Sequence, residues 1–99
     1  MRITKSKKTG YQILCLNYDE WNMFIKNKFK EIKKSTSNYD VIVDYIVCSL
    51  TDFLIDKGCV EVKYQSKEGK SDKIKTYNKM KEAIRDELCN IGVYKGSRI

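Results

Sequence analysis

The sequence contains no histidine and no proline. Without histidine there is no imidazole base and no histidine metal ligand, which excludes most hydrolase triads and most zinc sites. No run of about 18 apolar residues is present, so no membrane-spanning helix is expected. No apolar segment follows the basic amino terminus in the manner of a secretory signal. We therefore expect a cytoplasmic protein that is not an enzyme and that holds no metal or cofactor.

Cysteine occurs four times, but no two cysteines form a CxxC pair of the kind that holds zinc. All four stand beside apolar residues, so we expect reduced thiols buried in the core. Disulfides are the alternative, and the sequence leaves their connectivity open. The residues are Cys15, Cys48, Cys59 and Cys89.

The chain has 99 residues, of which 41% are hydrophobic and 11% aromatic. This length and composition predict one folded domain over residues 1–99. Many Lys, Asn, Ile and Tyr beside a single alanine, Ala83, are typical of AT-rich coding sequences such as those of some bacteria and their phages and of archaeal viruses.

Positive charge dominates, since 20 basic residues stand against 13 acidic ones, a net charge of +7. Residues 1–34 hold nine basic and three acidic groups, a net of +6. Residues 35–57 hold one lysine and four aspartates, a net of −3, and residues 58–99 hold ten basic and six acidic groups, a net of +4. The pattern predicts an acidic central element between two basic ones, and the net charge predicts a polyanionic partner.

A first β-hairpin is predicted over residues 2–16, with strands Arg2–Lys5 and Tyr11–Leu16. A helix is predicted over residues 18–34. Asn17 is a suitable N-cap and Glu20 stands at position N3, the pattern of a capping box. An apolar arc at helical spacing is expected to face the core, with lysines on the opposite arc. The apolar arc is Trp21, Phe24, Ile25, Phe29 and Ile32.

A second helix is predicted from about residue 38 to residue 57. Ser37 and Asp40 form its expected capping box, and Gly58 is the residue that ends it. Its apolar residues fall on two arcs, so we expect burial on more than one side. The main arc is Ile42, Val43, Ile46, Val47, Leu50, Phe53 and Leu54, and the second arc is Val41, Tyr45, Cys48 and Ile55.

Residues 59–65 alternate with period two and predict a strand. The side chains expected to face the core are Val60, Val62 and Tyr64. A polar turn follows at 66–71. Residues 72–77 fit either a returning strand or the start of the last helix, and we favour the strand. That helix is predicted over 78–91, with Gly92 ending it, and Val93 and Tyr94 are expected to pack after it. The predicted fold is α+β, with two β-hairpins in a small mixed sheet packed with three helices around a long central hydrophobic helix.

Two short motifs resemble parts of known chemical sites. Gly69-Lys70-Ser71 resembles the end of a phosphate-binding loop, but the motif requires glycine at position 64, which is tyrosine. A polar hairpin turn is the better interpretation. Glu61 and Lys63 on one strand face, with an upstream aspartate at 44, 52 or 56, fit a metal-dependent nuclease. Ordinary cross-strand charge pairing explains the same two residues, so a small nuclease is our last alternative.

The lysines predict nucleic-acid binding through phosphate contacts with little sequence specificity. Seventeen of the 20 basic residues are lysines, which act as point charges, whereas arginine makes the bidentate contacts that read guanine. The sequence does not separate DNA from RNA. The candidate residues are Lys7, Lys8, Lys26, Lys30, Lys33, Lys34, Lys67 and Lys70.

Self-association is the remaining expectation. The second arc of the long helix carries more apolar surface than a small monomer readily covers. It predicts a homodimer with this helix near the two-fold axis, through Val41, Tyr45, Cys48 and Ile55. The alternative function is therefore a protein-interaction module, such as a small phage or viral accessory protein that inhibits a host factor.

Overall fold

The computed structural model describes residues 1–92 and has an α+β fold, as the sequence predicts. A four-stranded mixed sheet packs against three helices. Residues 93–99, including Val93 and Tyr94, lie outside the described part. The elements are β1 (Arg2–Lys5), β2 (Gln12–Leu16), α1 (Tyr18–Lys33), α2 (Tyr39–Asp56), β3 (Glu61–Gln65), β4 (Ser71–Ile74) and α3 (Tyr77–Ile91).

The strands follow one another across the sheet in chain order. β1 is antiparallel to β2, β2 is parallel to β3, and β3 is antiparallel to β4. Residues 71–74 form a strand that pairs Ile74 with Val62, and α3 begins only at Tyr77. The alternative in which residues 72–77 open the last helix is therefore wrong.

The two central strands, β2 and β3, contribute buried side chains to the hydrophobic core. Their register aligns Leu14 with Val62 and Leu16 with Tyr64. Leu14 and Val62 are both fully buried, and the ring of Tyr64 stacks on Trp21 of α1 at a centroid distance of 4.3 Å. Since side chains alternate along a strand, Ile13 and Cys15 of β2 and Glu61 and Lys63 of β3 point to the other face.

The period-two pattern predicted that Val60 faces the core. This prediction is wrong, because Val60 is 48% exposed. β3 begins at Glu61, two residues later than predicted, and the N–H of Val60 donates to the carbonyl of Gln12. Gly58 has a φ of +70°, and its carbonyl accepts from the side chain of Gln12 at 2.8 Å. This turn places Cys59 inside and Val60 outside.

α1 begins as its sequence predicts. The Asn17 side chain accepts from the N–H of Glu20 at 2.9 Å, and the Glu20 carboxylate accepts from the N–H of Asn17 at 3.0 Å. This capping box satisfies two backbone donors at the helix start. Trp21 and Ile25 are the buried residues of the helix.

α2 has an N-cap different from the predicted one. Asn38, not Ser37, caps the helix, because its side chain accepts from the N–H of Val41 at 3.2 Å. Serine and asparagine are both favourable N-cap residues, so residue type alone could not show which of these two neighbours caps the helix. α2 contacts α1 on one side and α3 on the other. Its buried residues are Ile42, Val43, Ile46, Val47, Leu50 and Leu54.

A buried carboxylate joins α3 to α1. Glu87 is 2% exposed and accepts from the Tyr18 hydroxyl at 2.8 Å, from the Asn22 amide at 2.6 Å and from the Asn90 amide at 3.3 Å. Burial, with the hydrogen bond to Glu87 as the next cause, raises the pKa of Tyr18. Three donors to one carboxylate satisfy a group that would otherwise be costly to bury.

Cys15, Cys48 and Cys59 form no disulfide within residues 1–92, and the four cysteines differ in exposure. Only Cys59 is buried, and burial raises the pKa of its thiol. Cys15 and Cys89 are half-buried and Cys48 is exposed, so the expectation of four buried core thiols is wrong for Cys48 and is met in full only by Cys59. No helix among the described residues is both long and apolar enough to span a membrane.

Replacing Leu14 by alanine should lower the free energy of unfolding by about 3 kcal/mol, because the side chain is fully buried between β3 and the helices. Urea denaturation followed by circular dichroism measures the change. The matched control is Met23→Ala on α1, where the side chain is 57% exposed and the expected loss is below about 0.5 kcal/mol. Equal losses in the two variants would contradict this account of the core.

Candidate nucleic-acid interface

The four predicted lysines in turns are divided between the two ends of the sheet. Lys7 and Lys8 lie in the turn before β2, and Lys67 and Lys70 lie in the turn after β3. β2 and β3 are parallel, so the start of one and the end of the other lie at opposite sheet ends. A five-residue strand is about 17 Å long. All four lysines are exposed, but they do not form one cluster.

The four predicted lysines of α1 share one exposed helix face. Lys26, Lys30 and Lys33 lie in the second half of the helix and Lys34 is its C-cap. None of the four forms an ion pair with a described residue; the ion pairs among residues 1–92 involve Met1, Lys28, Lys81 and Arg85. Lys26, Lys30 and Lys33 therefore keep their charge free of a direct ion pair, and Lys34 lies near enough to Glu31 to help lower the pKa of that carboxyl.

Glu31 is the acidic residue in this half of α1, and its carboxylate is occupied elsewhere. It accepts from the hydroxyl of Tyr45 on α2 at 2.8 Å and lies 3.5 Å from the ammonium of Lys28. The hydrogen bond from Tyr45, followed by the charge of Lys28, lowers the pKa of Glu31 below its ordinary value. Glu31 thus connects α1 to α2.

Three of these lysines surround an apolar groove between α1 and the end of α3. The groove has a volume of about 330 Å³, and its floor contains the half-buried side chains of Phe29 and Ile91. The ammonium of Lys33 lies 5.7 Å from the centre of the Phe29 ring. Lys26 and Lys30 complete the rim. An aromatic floor within a cationic rim suits a base and its flanking phosphates.

Ion pairs between α2 and α3 account for much of the acidic middle of the chain. Asp40 lies 3.5 Å from Arg85, and Asp44 lies 3.9 Å from Lys81. Asp44 also accepts a hydrogen bond from the hydroxyl of Tyr77, which raises the pKa of that tyrosine. These contacts join residues more than 30 positions apart, and no local pattern pointed to them. Lys81 and Arg85 are therefore less available to a polyanionic partner.

The four predicted dimer residues are separated by the fold. Val41 is 45% exposed, Ile55 is 69% exposed and Cys48 is also exposed. Val41, Cys48 and Ile55 recur every seven residues and form one stripe along α2. Tyr45 is half-buried, and its hydroxyl donates a hydrogen bond to Glu31 of α1. Its side chain therefore connects α2 to α1 and does not belong to the exposed stripe.

The residues of the nuclease interpretation also lie apart. Glu61 and Lys63 point away from the core, whereas α2, with Asp44, Asp52 and Asp56, packs on the face that carries Val62. Within residues 1–92 no three Cys, Asp or Glu side chains are placed to share a metal ion. Gly69, with a φ of +89°, lies in the turn between β3 and β4, which Ser66 closes by hydrogen bonds with Gly69 and Lys70.

Comparison with protein-family models, with curated proteins and with solved structures finds no match for this chain.

Replacing Tyr45 by phenylalanine should raise the pKa of Glu31 toward its ordinary value of 4.5, because the main group that stabilises the carboxylate is removed. The pKa is lowered in the folded state, so this contact stabilises the fold above pH 4.5 and its contribution is lost as the pH falls through the folded-state pKa. Carboxyl-carbon NMR titration measures the change. Tyr77→Phe is the control and should leave Glu31 unchanged. A wild-type Glu31 titrating at 4.5 would contradict the interaction.

Proposed function

We propose that this protein binds nucleic acid through the sugar-phosphate backbone, with little sequence specificity. The observation that carries the proposal is the α1 groove, where Lys26, Lys30 and Lys33 surround Phe29 and Ile91 without any acidic partner in the described residues. Unpaired cations on a rigid helix attract phosphates at long range and hold them by charge at short range.

Single strands fit the groove better than a duplex. A groove of about 330 Å³ is at the small end of ligand sites, and a half-buried phenylalanine can stack an unpaired base. In a duplex the base faces are already stacked on one another. The surrounding lysines would then contact the phosphates on either side of the stacked base.

The turn lysines supply auxiliary contacts in this proposal. Lys7 and Lys8 at one end of the sheet, and Lys67 and Lys70 at the other, extend the positive surface along the molecule. A polyanion longer than the α1 groove could meet one of these pairs. Since all are lysines, their contacts would add affinity without base discrimination.

In this proposal the protein acts by binding and not by catalysis, and it acts in the cytoplasm, of a host cell if its source is viral. The nuclease alternative would need Glu61, Lys63 and an aspartate to converge on one metal ion. Their placement on different faces of the sheet favours the binding function.

Changing Lys30 and Lys33 together to glutamate should weaken binding to unrelated single strands by a similar factor. If all four exposed lysines of α1 contact phosphates of a single strand, the slope of log K against log salt should be about −3. The double variant retains two of these contacts, so its slope should be about half of that. Fluorescence anisotropy across a salt series measures both quantities. Both positions are exposed, so the fold should be retained.

The matched control for this charge reversal is Lys75→Glu with Lys79→Glu. It produces the same change in net charge, from +7 to +3 (7 − 4 = 3), at exposed positions away from the groove. It should retain the slope of the wild type. Equal weakening in the two double variants would assign binding to overall charge and not to α1.

Protein interaction through α2 is the second candidate, and the exposed stripe of Val41, Cys48 and Ile55 favours it. We infer that α2 is the central hydrophobic helix of the fold, covered by α1 and α3 on two sides and by a second copy on the third. The alternative occupant of the stripe is a host protein. In an antiparallel pair of α2 helices, Cys48 would lie on the two-fold axis and Val41 would meet Ile55.

Each copy carries a net charge of +7, so self-association should strengthen as salt screens the repulsion between the two copies. This is the opposite of the salt response of nucleic-acid binding. Light scattering at increasing salt measures the association, and Ile55→Glu should abolish it. Met23→Glu, at an equally exposed apolar residue on α1, is the control. A monomer at every salt concentration would leave this face to a different protein.

A further inference from the structure

The sheet face opposite the three described helices carries three cations in one cross-strand row. Arg2 of β1 pairs with Cys15 of β2, Cys15 pairs with Lys63 of β3, and Lys63 pairs with Lys73 of β4. All four side chains point away from the face on which Leu14 and Val62 contact the helices. Neighbouring strands are about 4.8 Å apart, so the Cα atoms of Arg2 and Lys63 lie about 10 Å apart across Cys15.

A cleft of about 300 Å³ opens over one end of this row, where the parallel strands β2 and β3 finish. Side chains from all four strands line it, with Cys15 between the two cations. We name it the sheet-end cleft. The strands contribute the cations Arg2 and Lys63 to its lining, together with the neutral polar residues Tyr64, Gln65 and Ser71.

The charge inside this cleft is positive. Neither Arg2 nor Lys63 forms an ion pair with another residue of the described range 1–92. The one acidic lining residue is Glu20, whose carboxylate is already bound by the Met1 amino group and the N–H of Asn17. The amino group of Met1, followed by the hydrogen bond from Asn17, lowers the pKa of Glu20, so it stays ionised but engaged.

We infer that the sheet-end cleft binds a phosphate monoester, either the terminal phosphate of a nucleic-acid strand or a free mononucleotide. Arg2 offers a planar fork of donors, Lys63 a point charge, and Gln65 and Ser71 neutral donors. The carboxyl ends of parallel strands are a common location for ligands in open sheets. The volume is at the small end of ligand sites, which suits one phosphate with its sugar.

A monoester differs from a backbone diester in charge and in pH response. A terminal phosphate carries between about −1.5 and −2 charges at neutral pH, and its second ionisation lies near pH 6. Two unpaired cations favour the dianion over a diester with a single charge. Binding through the cleft should therefore weaken as the pH falls below about 6, whereas backbone binding by lysines should not.

The test compares one short oligonucleotide carrying a 5′-phosphate, a 3′-phosphate or only hydroxyl ends, with a mononucleotide as a separate ligand. Fluorescence anisotropy and calorimetry measure the affinities at pH 8 and pH 5. The strand-end form of the inference rests on the proposed function, and it predicts about tenfold tighter binding of a phosphorylated end. The preference should shrink at pH 5, where the terminal phosphate keeps about one negative charge. If the mononucleotide binds saturably and the oligonucleotide shows no preference for a phosphorylated end, the ligand of the cleft is a free mononucleotide and not a strand end.

Arg2→Gln and Lys63→Gln should each reduce the phosphate preference, and Lys73→Gln is the matched control. Lys73 belongs to the same cross-strand row but does not line the cleft. Arg2 is exposed on an edge strand, so its replacement keeps the test valid if Lys63→Gln impairs folding. Equal affinity for phosphate and hydroxyl ends, together with no mononucleotide binding, would overturn the inference. Failure of the α1 charge reversal to weaken backbone binding would overturn only the proposed function.

Discussion

The parallel pairing of β2 with β3 is the constraint on which the rest of the structure depends. Parallel neighbours cannot be joined by a tight turn, so the chain between them must cross over the sheet, and here α1 and α2 make that crossing. The crossing covers one face of the sheet and aligns Leu14 and Val62 in the centre of the core. It also leaves the opposite face uncovered by the three helices of residues 1–92, and it brings the ends of both strands together, which produces the sheet-end cleft.

The same arrangement decides which charges remain available to a partner. α3 packs along α2 and directs Lys81 and Arg85 at two aspartates of that helix. α2 in turn engages Glu31 through Tyr45. The acidic middle of the chain is thus partly neutralised inside the molecule, and Lys26, Lys30 and Lys33 on the outer face of α1 form no ion pair with a described residue. A net charge of +7 alone could not indicate where the free positive surface lies.

The two proposed phosphate sites belong to different parts of α1. The groove lies beside the second half of the helix and uses its exposed lysines, whereas the sheet-end cleft adjoins its first turn at Asn17 and Glu20. A 16-residue helix is about 24 Å long, enough to separate the two along a bound strand by several nucleotides. In this proposal one site holds the backbone and the other reads a strand end, and both rely on charge and shape without recognising bases.

Local features of this protein were determined by the sequence by itself, because they depend on residues within a few positions of one another. The capping box of Asn17 and Glu20, the end of α3 at Gly92 and the alternation that buries Val62 are of this kind. The tertiary structure alone decided the burial of Glu87, whose partner Tyr18 is 69 positions away, and the convergence of Arg2 with Lys63. Such pairs depend on how elements pack and on strand register, and neither leaves a periodic signal in the sequence.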